Sequence, residues 1–236
     1  MFLYIVRHGD PDYSTDSLTP RGVLQAEAVA KRLKDSGITQ IYSSPMGRAL
    51  QTAQPACKLL GLPCNVEPWT HELDVALAKT TYPDGVLKSL YTLQNTHHIQ
   101  NGIQALPYDR SLESPPFAES RLNEAVPYIE QQGRDFLERL GYRWDNGIYR
   151  ILEPSEERVA LFCHGGFTMV WLSILLHIPL HLIWSSIGTT HTGVTILRFT
   201  NNPDGITSPR LMTLNDMSHL YKYDEVDMLF NGKIPM

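Results

Sequence analysis

The sequence has few cysteines and no long apolar run. Its three cysteines, Cys57, Cys64 and Cys163, cannot all pair within one chain. The first residues also lack a basic stretch followed by an apolar core of signal-peptide length. We therefore expect a reduced, cytoplasmic protein. Because no apolar stretch is long enough to span a bilayer, we expect no membrane-spanning helix.

The sequence is also low in net charge. A value of -5 at pH 7 over 236 residues argues against general binding to nucleic acids or to anionic membranes. No glycine-rich nucleotide loop is present, and no spacing of His, Cys, Asp or Glu is convincing for a metal site. We therefore expect no cofactor, no metal, and no nucleic-acid or membrane partner. Any positive field that binds an anion must be local.

The first ten residues hold the feature around which the chain is organised. The apolar run 2–6 is too short for a helix and suits a strand buried on both faces of a parallel sheet. Arg7, His8 and Gly9 follow at once, at the edge where open α/β sheets bind ligands. Histidine can be a nucleophile near neutral pH, arginine binds tetrahedral oxyanions, and glycine lets a ligand approach the backbone. Together these residues predict a phosphate site that carries its own nucleophile.

A second apolar run, 158–163, ends in the same way, with His164 after it. If the two strands are neighbours, His8 and His164 enter one crevice. Arg48 falls in the opening turn of a helix predicted from Ser44-Pro45 to Leu60, beside backbone amides and a positive dipole end that favour an anion.

The order of the predicted elements favours an α/β fold with a mainly parallel sheet and helices on both faces. We expect one domain over residues 1–236. Short apolar groups broken by proline and glycine predict an inserted cap at about residues 75–150. Within it, a helix is predicted at 120–142, where Pro127 or Gly133 could divide it. The last part, 217–236, carries no clear pattern.

Several separate motifs resemble, in order, those of the histidine phosphatase superfamily in its phosphoglycerate mutase-like branch. They comprise residues 2–9, 18–22, 25–26, 43–49, 51–53 and 163–166. The resemblance implies a metal-independent phosphatase that hydrolyses a small phosphomonoester through a phosphohistidine on His8. In that reaction Arg7, Arg48 and His164 hold the phosphoryl group and neutralise its charge.

The resemblance also assigns acid and base catalysis to Glu72, in the loop after a short strand predicted at 64–68. One carboxyl group can protonate the leaving oxygen and then activate the water that cleaves the phosphohistidine. Asp10 and Asp12 remain alternatives, because Asp10 is one peptide beyond Gly9.

The chain departs from the family pattern at two places. Relatives commonly carry an asparagine six residues after the nucleophile, where Ser14 stands, and its hydroxyl could still donate one bond to phosphate. Mutases of the family typically carry His-Gly-Asn-Ser around the second histidine. This chain has Gly166 and Phe167 after His164-Gly165, which favours a phosphatase.

Two alternatives remain open: a phosphoglycerate mutase-type phosphotransferase and a non-catalytic protein that binds a phosphorylated ligand. His191 and Thr192 precede a predicted strand and could reach the rim of the site. The sequence predicts neither the substrate nor the oligomeric state.

Overall fold

The computed structural model describes residues 1–73, 79–81, 86–92, 106–113, 115–118 and 120–222. Parts of the predicted cap and most of the predicted tail, from residue 223 onward, lie outside these ranges. No helix in the described ranges is both long enough and apolar enough to cross a membrane.

The described residues form strands, helices and short 3-10 turns. The strands are β1 (Phe2–Arg7), β2 (Pro11–Asp12), β3 (Ser17–Leu18), β4 (Gln40–Ser43), β5 (Cys64–Val66), β6 (Lys79–Thr81), β7 (Leu87–Ser89), β8 (Tyr142–Asp145), β9 (Ile148–Ile151), β10 (Arg158–Cys163), β11 (Val194–Arg198), β12 (Ile206–Thr207) and β13 (Arg210–Asp216). The helices are α1 (Pro20–Lys34), α2 (Gly47–Leu60), α3 (Pro115–Ala118), α4 (Leu122–Arg139), α5 (Gly165–Leu176) and α6 (Leu180–Ser186). The 3-10 turns are Pro68–Thr70, Leu90–Thr92, Tyr108–Glu113 and Ser218–Lys222.

Six strands form the central sheet, in the order β13-β11-β1-β10-β4-β5. Strands β1, β10, β4 and β5 pair in parallel, whereas β11 and β13 add an antiparallel edge. Strands β1 and β10 are direct neighbours, with Val6 opposite Phe162. The prediction of an α/β fold with a mainly parallel sheet flanked by helices is confirmed.

One face of the sheet packs against α1 and α2. Tyr4 and Val6 of β1 lie in one apolar cluster with Val29 and Leu33 of α1 and Ala53 of α2. Burial of each larger side chain stabilises the fold by roughly 1.5–3 kcal/mol. The cluster therefore fixes both helices on the strand that precedes His8.

Helix α1 begins where the sequence predicts. The side chain of Thr19 accepts a hydrogen bond from the backbone N–H of Gly22, and Pro20 occupies the first helical position. Such a cap contributes about 1 kcal/mol. Helix α2 begins at Gly47, later than the predicted start at Ser44-Pro45, and Met46 at its N-cap makes no side-chain capping bond.

The chain divides into two compact units. Unit 1 comprises Met1–His71, Leu137–Gly165 and Thr189–Met236, and unit 2 comprises Glu72–Phe136 and Gly166–Gly188. In unit 2, Phe136 of α4 packs against Trp171 of α5, with ring centroids 6.1 Å apart. The single domain with a cap at about 75–150 remains a prediction.

Helix α4 is continuous although Pro127 lies inside it, so the predicted helix is not divided. The hairpin of β8 and β9 had no counterpart in the sequence prediction.

Candidate active site

Three neighbouring parallel strands end at one edge of the central sheet. His8 follows β1, His164 follows β10 and Ser44 follows β4. The backbone N–H of His8 donates to the carbonyl oxygen of Cys163 at 2.9 Å, so the pairing continues one residue beyond β1. The imidazole rings of His8 and His164 lie 5.1 Å apart. The structure therefore brings together the two histidines that are remote in the sequence.

His8 is buried, and its Nδ1 lies 2.7 Å from the carbonyl oxygen of Gly9. Because a carbonyl oxygen only accepts hydrogen bonds, Nδ1 carries the proton. Burial, followed by the charge of Arg7 and by the neighbouring His164, holds the pKa of His8 well below its ordinary value of 6.5. At neutral pH the ring is uncharged, with its lone pair on Nε2. This nitrogen has the protonation state that a nucleophile needs.

His164 is also fully buried, and its Nε2 lies 2.7 Å from the hydroxyl oxygen of Ser44. Burial, followed by the charges of Arg48 and Arg7, holds the pKa of His164 well below 6.5. His164 is therefore a neutral hydrogen-bonding group at neutral pH. Arg48 and Arg7 supply positive charge at this edge of the sheet.

Arg7 is held by the backbone of the loop before β11. Its NH1 group donates to the carbonyl oxygen of Thr189 at 2.5 Å. A Cβ atom at Gly165 would lie 3.3 Å from Nε of Arg7 and 2.9 Å from the hydroxyl oxygen of Thr189. Glycine at position 165 therefore allows the guanidinium group to pass close to the residue that follows His164.

Arg48 lies in the first turn of α2, as predicted, and is 5% exposed. Its NH1 group donates to Oδ1 of Asp16 at 2.5 Å, and Tyr13 faces the guanidinium carbon at 5.4 Å. The Nε atom of Arg48 is buried and has no hydrogen-bond partner among the described residues. Since a buried donor without an acceptor costs about 1–3 kcal/mol, an anionic ligand at Nε would remove that cost.

Ser14 lies on the exposed loop between β2 and β3. Its hydroxyl donates to Oδ1 of Asp12 at 2.6 Å, and its backbone N–H donates to the same oxygen at 2.9 Å. A serine hydroxyl has one proton to donate, so it must leave Asp12 before it can donate to phosphate. The proposed contact of Ser14 with phosphate therefore requires a change in this loop.

Asp10 and His191 form a further polar group beside the nucleophile. Nδ1 of His191 lies 3.3 Å from Oδ1 of Asp10, while Oδ2 of Asp10 accepts from the hydroxyl of Thr19 at 2.7 Å. The ring of His191 lies 5.5 Å from that of His8. Burial, followed by the charges of Arg7 and Arg21, lowers the pKa of His191 to about 3.

Glu72 belongs to unit 2, where its carboxylate lies at the start of α5. Oε1 accepts from the backbone N–H of Leu73 at 2.9 Å and from that of Phe167 at 3.1 Å, and Oε2 accepts from Gly166 at 3.3 Å. The N-terminus of a helix stabilises a negative charge, so these amides orient the carboxylate.

Sequence reasoning missed several partners of the predicted site residues. Ser44 could have been found, because it follows a strand that ends at the same sheet edge as His8. No sequence pattern predicts Thr189 as a partner of Arg7 or Asp16 as a partner of Arg48, because these contacts join distant parts of the chain. In the ranges that the structure covers, no group of three or more His, Cys, Asp or Glu side chains could hold a metal ion.

The sequence matches a known family over more than half of its length. The profile described as the histidine phosphatase superfamily (branch 1) matches residues 3–135. The chain is 36% identical over 189 residues to the probable phosphoglycerate mutase GpmB of Yersinia pestis (strain Pestoides F), which covers 76% of each protein. A shorter match, 37% identical over 84 residues, covers 32% of the chain and 39% of the protein of that name from Proteus mirabilis.

Solved structures share the fold. A phosphoserine phosphatase from Entamoeba histolytica, in complex with 3-phosphoglyceric acid, has a TM-score of 0.61 and 20% identity, over 93% of this chain and 98% of that one. A mycobacterial glucosyl-3-phosphoglycerate phosphatase has a TM-score of 0.58 and 23% identity, over 91% and 98%. The structural likeness shows a common fold, and the profile and the curated relatives agree with the motifs of the sequence. The chain belongs to branch 1 of the histidine phosphatase superfamily.

Proposed function

We propose that this protein hydrolyses a small phosphomonoester through a phosphohistidine on Nε2 of His8. The observation that carries the proposal is the bond from Nδ1 of His8 to the carbonyl oxygen of Gly9, which leaves the lone pair on Nε2. The second imidazole lies 5.1 Å away, and Arg7 and Arg48 supply positive charge. These groups suit one tetrahedral anion.

In the first step, Nε2 of His8 attacks phosphorus, an N–P bond forms, and the bond from phosphorus to the ester oxygen breaks. Arg7, Arg48 and His164 hold the phosphoryl oxygens during the transfer, by charge and by hydrogen bonds. The leaving oxygen takes a proton from Glu72. In the second step, an O–P bond forms between water and phosphorus while the N–P bond breaks, and Glu72 takes a proton from that water. Inorganic phosphate leaves, and the lone pair returns to Nε2 of His8.

The role of Glu72 rests on its own surroundings and on the family motif. Backbone amides at the start of α5 fix both oxygens of its carboxylate, so it is held in one orientation. Of the alternatives, Asp10 is engaged by Thr19 and His191, and Asp12 by Ser14. All three carboxylates thus have hydrogen-bond partners, and the family motif favours Glu72 for the proton transfer.

A phosphoglycerate mutase is the second candidate, because the curated relatives carry that name. A mutase returns the phosphoryl group to the substrate, whereas a phosphatase passes it to water. Gly166 and Phe167 replace the Asn-Ser pair of the mutase motif, which supports the phosphatase. We also propose a cytoplasmic location, supported by three cysteines that form no disulfide.

The test is a panel of phosphomonoesters that includes phosphoserine and the phosphoglycerates, chosen from the names of the relatives and neighbours. Release of inorganic phosphate and isomerisation of phosphoglycerate are measured on the wild type and on His8→Ala, with and without a chelator. We expect phosphate release that needs His8 and persists in chelator. Isomerisation without net release would favour the mutase, and binding without turnover would favour a non-catalytic protein.

A further inference from the structure

Asp16 places a carboxylate at the start of α2, beside the proposed phosphate-binding residue Arg48. Its Oδ1 accepts from NH1 of Arg48 at 2.5 Å, and its Oδ2 accepts from the backbone N–H of Gly47 at 2.6 Å. A guanidinium group at a helix N-terminus is expected to have an anion near it. In the structure, one such anion is a side chain of the protein itself.

The segment that carries Asp16 is fastened to α2. The backbone N–H of Leu18 donates to Oε1 of Gln51 at 2.8 Å. Asp16 also has φ 49°, a left-handed conformation that residues other than glycine adopt mainly where their surroundings hold them. Two bonds from Asp16 to α2 and one from Leu18 provide such a hold. The backbone at Asp16 is therefore held in place, and its carboxylate reaches Arg48 from that fixed position.

The contact leaves a defined part of Arg48 available to a ligand. Asp16 engages NH1, and the ring of Tyr13 lies 5.4 Å from the guanidinium carbon. Nε is buried, and no residue of the described ranges accepts its hydrogen. Because a guanidinium group is rigid and planar, a hydrogen bond that holds NH1 also sets the direction of the Nε–H bond.

We propose that Asp16 is a positioning residue: by holding NH1 of Arg48, it directs Nε toward the phosphoryl group transferred at His8. This inference rests on the proposed function only for the identity of the ligand, a tetrahedral phosphoryl or phosphate anion. A competing interpretation is that Asp16 occupies the place of the phosphate and must be displaced by it. The two interpretations predict opposite effects of removing the carboxylate.

The test is a double-mutant cycle with Asp16→Ala, Arg48→Ala and the double variant. Two quantities are measured for each protein: kcat/KM on a phosphomonoester and the Kd for inorganic phosphate by calorimetry. Asp204→Ala is the matched control, because it removes the same charge from an exposed turn outside the site. Asp16→Asn keeps an oxygen that can accept from Arg48, and it replaces Asp16→Ala in the cycle if that variant does not fold.

We expect Asp16→Ala to lower kcat/KM by about tenfold to a hundredfold, the usual cost of a misplaced catalytic group. Asp16→Asn should recover part of this loss. Phosphate binding should weaken in Asp16→Ala and stay unchanged in Asp204→Ala. In the Arg48→Ala background, the change at Asp16 should have no further effect, because the residue through which it acts is gone.

Two results would overturn the proposal. An equal loss in the presence and absence of Arg48 would mean that Asp16 only supports the loop. Tighter phosphate binding by Asp16→Ala would mean that Asp16 competes with the ligand. If the wild type binds phosphate but does not hydrolyse esters, only the proposed function is refuted. The Kd values for inorganic phosphate then still decide the role of Asp16. A wild type that does neither overturns both proposals.

Discussion

At the scale of single residues, backbone carbonyl groups hold the side chains of Arg7 and His8, two consecutive residues at the end of β1. The carbonyl of Gly9 fixes the tautomer of His8, and that of Thr189 holds NH1 of Arg7. Backbone atoms move less than long side chains, so this arrangement keeps both groups aligned before a substrate arrives. Protein-supplied alignment of this kind is a main source of catalysis in phosphoryl transfer.

The protonation of His8 gives the first prediction. Because burial and the charge of Arg7 lower its pKa well below 6.5, the neutral ring persists as pH falls through 6.5 and is lost only at lower pH. We expect nitrogen NMR shifts to show a neutral ring at pH 6, with the proton on Nδ1. Protonation of His8 with a midpoint near 6.5 would contradict this.

The proton transfer assigned to Glu72 gives a second prediction. Glu72→Gln removes the acid, so phosphoenzyme formation should slow by roughly 10²–10⁴-fold for an alkyl phosphate, whose leaving oxygen needs a proton. It should slow far less for p-nitrophenyl phosphate, whose leaving group is stable as an anion. Rapid-mixing kinetics should therefore show a burst of nitrophenol followed by slow turnover. Equal slowing of both substrates would move the proton transfer to another residue.

The positions of the candidate-site residues were predictable where these residues follow apolar strands, and less so where distant segments meet. Buried apolar runs come directly before Arg7-His8 and before His164. The ends of these predicted strands are therefore enough to place the three residues at the carboxyl edge of the sheet. The contact of Arg48 with Asp16 joins residues 32 apart, and no periodic pattern records it. Such a contact depends on how a loop crosses a helix, which local sequence does not encode.

At the scale of elements, the approach of α1 to the loop after β1 shapes the site. A Cβ atom at Gly22, in the first turn of α1, would lie 2.2 Å from the backbone oxygen of Asp10. Alanine favours a helix over glycine by about 1 kcal/mol, but here it would push against backbone. The close packing of α1 therefore determines the path of the loop that begins at Gly9.

We therefore expect Gly22→Ala to lower the free energy of unfolding by about 1–3 kcal/mol, as overpacking does. Gly188→Ala is the matched control, since a Cβ atom there would meet nothing within 4 Å. Urea denaturation measures both. If the two variants have equal free energies of unfolding, the loop after β1 accommodates the added methyl group without loss of stability.

Elements with strong local signals were predicted well. Strands β1 and β10 and helix α1 follow from apolar runs and from the Thr19-Pro20 start. The hairpin of β8 and β9 was missed, because its strands are four residues long and carry charged side chains. The start of α2 was predicted too early: Ser44 follows β4 and continues its pairing with Phe162, and the N-cap of the helix is Met46.

At the scale of the whole molecule, several histidines are buried in the neutral form. Those with a pKa lowered from 6.5 are His8, His164, His181, His191 and His219. Burial is the largest cause in each case. The unfolded chain binds protons at these rings below pH 6.5, whereas the folded chain does so only at lower pH, so acid favours unfolding.

We expect the free energy of unfolding to fall as pH drops below 6.5, by up to about 1.4 kcal/mol per pH unit for each of these rings. Urea denaturation at several pH values between 7.5 and 5 measures the slope. The pKa of His219 is lowered to about 4, so the variant His219→Gln should take up one proton fewer on unfolding and show a correspondingly smaller slope. Stability that is constant over this range would contradict the buried, neutral state of the rings.

The central claim, that His8 carries the phosphoryl group, is tested most directly by trapping the phosphoenzyme. The protein is mixed with a labelled phosphomonoester and quenched, and the label that remains bound is followed in acid and in alkali. We predict label on the wild type that survives alkali and is lost in acid, as a nitrogen-linked phosphate is, and none on His8→Ala. Label that is stable in acid, or equal labelling of His8→Ala, would contradict the account.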